Sequence, residues 1–590
     1  MTKFVKKNYV LICLAVCFLC LLWRAFKGFC WTDESFYVST ADRFYRGVIP
    51  LVGEWFRTQM SSIVMVPFYA VYMAVTGSNA GVILYFRILY LILSAAVALV
   101  YYRVLGKEYP EPVAGGAALF IMCYAHLNNA TFSYYMLSVV LMELALILIY
   151  DYKNTKSRIR LVIAGVVLAL SVLCMPAFVI GYVPLMAAAV IVYIIKRNET
   201  LRDIIIWSLT GTLIPAVIFA VYLFSHVDVD YLLNILPKIL VDHEHNETLG
   251  YFIRKPNRCL TDVFGKFTYV SYALIAVSFV FQKYLKKPPY NKIVIAVDTV
   301  LFAIMANYSL GHTGYIHVAF FMFAVPVFFI SEKKNHRLFW LTVIPAGLIA
   351  LIYCFTSSDF LYVIALGLSV GIPACLCAAC DMLRGEGDGD KSKNLSGIAR
   401  TAVIIVCTAC LCITVGLRFT NVYRDAPIVK LTKVIPSGIA KGLYTTDEHL
   451  QQYLDVYDVL EKYCADTADT ELVSGNPNGN VLFSKILPWG YLGSRLDCGF
   501  PSTWRTTAYD DDQLDLYYKI NKTSVPDVII VLDSRYGSYD AAGDVEDDHE
   551  PNLDEMNEYW KDYIIDNGFA EEKVKCGKVY RRQKAAGKGE

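Results

Sequence analysis

Trp31-Thr32-Asp33-Glu34-Ser35-Phe36-Tyr37 follows directly on an apolar run at 9–26. Two adjacent carboxylates therefore stand where a hydrophobic helix near membrane-spanning length has just ended. Beyond them Phe36, Tyr37, Ala41, Phe44 and Tyr45 recur at helical spacing, with Asp42, Arg43 and Arg46 on another side. Gly47 and Pro50 end the run. The pattern predicts a helix lying along a membrane surface and opening on an acidic pair. That placement suits chemistry on a substrate carried by a lipid.

The rest of the chain supplies the membrane. Of 590 residues, 56% are hydrophobic, against about 45–50% in a soluble domain. Apolar runs at 9–26, 80–102, 112–126, 136–150, 159–174, 177–195, 204–224, 267–282, 291–309, 315–330, 338–355, 360–382 and 398–418 predict an all-α polytopic bundle of about 13 transmembrane helices. The net charge of +1 gives no reason to expect nucleic acid.

Charge alternates between the connections. Arg103 and Lys107, Lys153 to Arg160, Lys196 to Arg202, Lys283 to Lys287, Lys333 to Arg337 and Arg384 to Lys393 mark one side. The short connections of the other side carry no Lys or Arg. The positive-inside rule makes the first set cytoplasmic. A plasma-membrane, multi-pass protein with a cytoplasmic N-terminus and an external tail is expected. Lys3, Lys6 and Lys7 precede the first span, but Gly28-Phe29-Cys30-Trp31 gives no small-residue cleavage site, so that span is read as uncleaved. Residues 27–79 and 226–266 form the two long outer loops. The apolar piece at 61–76, with Pro67 inside it, is read as lying in the interface, because a crossing there would reverse the charge alternation.

Residues 421–590 change composition and read as an extracytoplasmic α/β domain. A helix is expected over 447–464 and another over 553–567, ending at Gly568. Pro526-Asp527-Val528-Ile529-Ile530-Val531-Leu532-Asp533 reads as a buried strand, and 573–582 as an edge strand. Among the 17 cysteines, Cys375-x-Cys377-x-x-Cys380 and Cys407-x-x-Cys410-x-Cys412 lie inside apolar runs, where Cys acts as a small apolar residue. A disulfide among Cys464, Cys498 and Cys576 stays open.

Thr32 to Tyr37, then Ala41-Asp42-Arg43-Phe44-Tyr45-Arg46-Gly47, then Trp55, Gln59, Pro67 and Arg87 resemble the membrane glycosyltransferases of the GT-C fold. The likeness is to the branch of protein O-mannosyltransferases and lipid A aminoarabinose transferases. It implies a GT-C-like domain over 1–420 and a polyprenyl-phosphate-linked sugar as donor. It also implies inverting transfer at the outer face to a glycan, glycolipid or protein. Relatives often carry a further acid after the third span. Here the stretch His126-Leu127-Asn128-Asn129-Ala130-Thr131-Phe132-Ser133-Tyr134-Tyr135 has none.

On this reading an acceptor hydroxyl loses its proton to a carboxylate, and Asp33 is the expected base. Glu34 orients it, or joins it in holding a divalent cation, Mg or Mn; no organic cofactor is expected. The phosphate leaving group calls for cations. Arg57 and Arg87 are candidates, with Asn129, His312 and His317 beside them. Arg87 lies inside a span, where a charge takes a partner or snorkels. Asp242-His243-Glu244-His245 places both His on one side of an extended segment, but no third ligand follows at a fitting spacing, and a solvated loop is expected. Two other classes compete with a transferase: a transporter or flippase of lipid-linked sugars, and a non-catalytic assembly or sensor protein.

Overall fold

The computed structural model describes residues 2–241, 249–309, 315–357, 360–384, 397–420, 422–504, 508–536 and 558–584. Among them, eight helices are long and apolar enough to cross a membrane. A ninth candidate, Tyr362–Ser369 with Ile372–Arg384, is bent by 61°. The remaining expected spans, Glu111–Cys123, Arg158–Cys174, Lys266–Val280 and Tyr315–Ile330, are helices of 13, 17, 15 and 16 residues. At 1.5 Å per residue they run about 20–26 Å, short of the ~30 Å hydrocarbon core. Of the 13 expected spans, eight, or nine with the bent pair, are therefore long and apolar enough among the described residues. In Tyr315–Ile330 every residue but Phe321 is buried, and a helix enclosed by protein is apolar all round, like one facing lipid.

The outer helices expose apolar side chains. Only 11% of the Pro176–Lys196 window and 17% of the Glu199–His226 window is buried. Ile180, Val183, Ile195, Ile218 and Val221 point outward. A continuous apolar surface of this kind suits hydrocarbon rather than water. The chain is a polytopic α-helical membrane protein with a small sheet-containing tail.

Six helices frame the site: α1 (Thr2–Ala25), α2 (Asp33–Tyr45), α3 (Met60–Thr76), α4 (Val82–Leu105), α5 (Glu111–Cys123) and α6 (Tyr134–Thr155). The helix expected after residue 33 is α2. α3 packs along it: Ser62 Oγ donates to the Tyr37 carbonyl at 2.9 Å and Tyr69 Oη to Asp42 Oδ1 at 2.7 Å. Past the other end of α3, the Asn79 amide donates to the Leu492 carbonyl of the tail. α3 is thus held to α2 along its length and to the tail just past its end.

The tail builds a five-stranded sheet in the order Asp497–Cys498, Asn480–Phe483, Val528–Leu532, Gly577–Arg581, Ala570–Val574. Val528–Leu532 is buried throughout, as its unbroken apolar run predicts. Asp447–Tyr463 and Glu558–Asp566 are helical. The single edge strand expected at 573–582 is instead one arm of a hairpin, Ala570–Val574 against Gly577–Arg581. Gly577 has φ +145°, and a Cβ there would lie 2.0 Å from the Val531 carbonyl oxygen. The period-two pattern carries no mark of which residues turn. Cys464, Cys498 and Cys576 are free thiols.

The tail shares a core with the first loop. Trp31 meets Trp489 edge-on at 5.1 Å, Gly28 N donates to the Tyr444 carbonyl at 2.7 Å, and Trp55 N to that of Pro501 at 2.8 Å.

Candidate active site at the end of the first helix

Asp33 and Glu34 occupy the first turn of α2, where a carboxylate is favoured by the helix dipole. Successive helical residues diverge by about 100°, so the two acids take different surroundings. Glu34 turns inward and is fully buried. It accepts two hydrogen bonds from Arg87 of α4, Nε to Oε1 at 2.5 Å and Nη2 to Oε2 at 2.6 Å. Arg87 Nη1 then reaches the carbonyls of Ala25 at 2.8 Å and Lys27 at 3.2 Å. One guanidinium thus ties the end of α1 to the start of α2. Arg87 thus has the partner expected of a charge inside a span, and both Glu34 oxygens are engaged by it.

Asp33 stays partly open, its side chain 26% exposed. Its Oδ2 accepts from Arg424 Nη1 at 2.9 Å and from Thr32 Oγ1 at 2.8 Å. It lines a small cavity with Tyr37, His126, Asn129, Ser133 and Tyr423. The His126 ring sits 4.5 Å from that of Tyr135. Its Nε2 is buried without a hydrogen-bond partner among the described residues. Burial holds the imidazole down to about 3, against the pull of the Asp33 carboxylate. His126 is therefore neutral at pH 7.

A stability prediction follows from that burial. An unfolded His takes its proton near pH 6.5, while folded His126 does so only near 3. Between these values the unfolded state binds the extra proton, so stability falls as the pH drops below about 6.5. At pH 4.5 the loss is about 2–3 kcal/mol. His126→Gln should show a shallower fall in melting temperature between pH 6.5 and 4.5. Parallel profiles for variant and wild type would refute the assignment.

A second cavity adjoins the first: Asn129 and Tyr423 line both. Arg24, Arg87 and Arg418 line it from α1, α4 and the end of the last spanning helix. Arg24 donates through Nε to the Arg418 carbonyl at 2.9 Å and through Nη1 to that of Lys27 at 3.1 Å. Arg418 Nη1 donates to the Asn128 carbonyl at 3.2 Å and to its side-chain oxygen. Arg24 Nη2 and Arg418 Nε are buried with no partner among the described residues. Both residues are less than a tenth exposed, and an arginine does not shed its charge. Buried N–H groups left unmade carry a desolvation penalty. An anion in this cavity relieves it.

The other expected residues lie elsewhere. Arg57 is exposed on the loop before α3 and lines neither cavity. His317 is buried inside the bundle rather than at a mouth. Its Nε2 lies 2.9 Å from Thr414 Oγ1, and it stands edge-on to Tyr124. His312 and Asp242-His243-Glu244-His245 fall outside the described residues. Asn129 alone of the expected phosphate ligands lies at the junction of the cavities. Among the described residues, no group of three or more His, Cys, Asp or Glu side chains is placed to hold a metal. Arg24, His126, Arg418, Tyr423 and Arg424 escaped the sequence reading. Arg24 had a signal, a charge within an apolar run. No protein-family model matches the chain, and neither does any curated protein.

Proposed function

We propose that this chain is a membrane glycosyltransferase that moves one sugar from a polyprenyl-phosphate carrier to a cell-surface acceptor. The observation that carries the reading is the shared wall: the cavity holding the Asp33 carboxylate abuts one whose buried guanidiniums are short of partners. The chemistry uses both. The acceptor hydroxyl gives its proton to Asp33 as its oxygen bonds the anomeric carbon. The bond from that carbon to the phosphate oxygen breaks, and the phosphate keeps the electron pair. Arg24 and Arg418 stabilise the phosphate through N–H groups already in place. Attack opposite the leaving group inverts the anomeric centre. Glu34 and Arg87 position the helix that presents Asp33. Each acid already faces a guanidinium, so a divalent cation, if it takes part, enters through the substrate phosphate. The basic residues of the opposite connections support an outward-facing position for this end of the bundle.

The test is transfer by purified protein supplied with mixed polyprenyl-phosphate-linked sugars. Arg24→Gln and Arg418→Gln should each raise the donor KM about 10- to 100-fold, the worth of a hydrogen bond to a charged group, and leave the acceptor KM nearly unchanged. No transfer by wild type, or unchanged donor KM in both variants, removes the reading. A flippase for the same lipids is the second reading, favoured by Glu143 and Asp298, two acids buried within spanning helices. It expects lipid-linked sugars to cross a vesicle membrane without chemical change.

A further inference from the structure

We infer that the cleft between α2 and the tail domain binds a neutral saccharide, which on the transferase reading is the acceptor chain. The cleft has a volume of about 360 Å³. One wall is the side of α2 that carries Ser39, Asp42, Arg43 and Arg46. At about 100° per residue this side is turned away from Asp33 and Tyr37. The facing wall includes Asn480, Asp497 and Asn521 of the tail.

Its charges cancel. Two arginines and two aspartates line it, and Arg46 bridges both acids, Nε to Asp42 Oδ2 at 2.8 Å and Nη1 to Asp497 Oδ1 at 3.5 Å. A phosphate would meet the carboxylates and a metal ion the guanidiniums, so neither is favoured. What the walls offer is a mixture of donors and acceptors: amides, hydroxyls, carboxylates and guanidiniums together. A sugar hydroxyl both donates and accepts, and matches such a mixture. Val48, Ile49 and Leu496 add short apolar patches for the C–H faces of a sugar ring. Ser39 Oγ and Arg43 Nε are buried there without a partner among the described residues.

The walls are held in place without a ligand. Arg43 Nη1 donates to Glu54 Oε2 at 2.6 Å, Tyr517 Oη to the Gly53 carbonyl at 3.0 Å and Asn521 Nδ2 to that of Val52 at 3.0 Å. A preformed site loses less entropy on binding. Access is from water, since the side chains of Arg46 and Asp497 are each 30% exposed. Ser39 lies six residues from Asp33, a rise of about 9 Å along the helix. The lipid-linked donor has its own place at the arginine cavity.

The probe is the envelope glycan fraction from cells lacking the protein, titrated by calorimetry into the full-length protein in detergent. Wild type and Asp33→Asn should bind it equally. Thr523→Trp, a bulky change at an exposed rim position, should weaken binding at least tenfold, and Thr523→Ser should restore it. No binding by wild type overturns the inference. So does wild-type affinity in Thr523→Trp, or displacement of the glycan by millimolar inorganic phosphate. In the transfer assay Thr523→Trp should raise the acceptor KM and leave the donor KM alone. Transfer unaffected by the lost binding means the cleft does not hold the acceptor. Glycan binding lost in Thr523→Trp, with no transfer in wild type, upholds the saccharide site while the transferase reading fails.

Discussion

On the transferase reading, Asp33→Asn is expected to lower sugar transfer by about 10²- to 10⁴-fold, the usual worth of a positioned general base, and to leave folding nearly untouched. The second half comes from exposure. Asp33 and Arg424 are each about a quarter exposed, and ion pairs in contact with water contribute only about 0–1 kcal/mol. Asparagine keeps the shape and still accepts a hydrogen bond from Thr32, but it takes no proton. The expected result is an unchanged melting temperature and donor KM with a collapsed kcat. Full turnover by Asp33→Asn removes Asp33 as the base. A large loss of melting temperature would make its role structural instead.

Its neighbour should behave in the opposite way. The Glu34–Arg87 pair is bidentate, with side-chain exposures of 0% and 7%. Removing one partner of such a pair strands a buried charge and costs about 3–5 kcal/mol. Glu34→Ala and Arg87→Ala are each expected to lose about that much in denaturant unfolding, with transfer falling because α2 is no longer held. The paired replacement Glu34→Leu with Arg87→Met should recover most of the loss, since matched apolar groups often replace a buried pair at little net cost. Either single variant unfolding like wild type would show that the pair does not hold the site. A double variant as unstable as the sum of the singles would show that the two residues do not act together.

The pair illustrates what local pattern can and cannot reach. Asp33 and Glu34 stood out because two acids directly follow an apolar run, and the helical period after them is strong enough to place α2. Their different roles were beyond reach. Glu34 meets Arg87 across 53 positions, and Asp33 meets Arg424 across about two thirds of the chain. Arg418 and Arg24 join in the same way: one closes the last spanning helix, the other the first. Each alone reads as an ordinary basic residue near a membrane boundary. His317 failed in the reverse sense. Its sequence neighbours put it at a helix end, but the bundle closes over it and gives it Thr414.

The chain's own periodicities determined the membrane helices, the helix with Asp33 at its head and the buried strand of the tail. These depend on residues within a turn or two of one another and on the preference of apolar runs for hydrocarbon. That this helix is buried from Glu34 to Arg43, rather than lying open along a surface, came from the fold. Tertiary structure alone decided which apolar helices are long enough to span, and which acid is sealed by an arginine and which stays open. It alone brought Arg24 and Arg418 into one cavity beside Asp33. Burial and charge pairing between distant segments depend on how the helices pack, and no window along the chain contains that information.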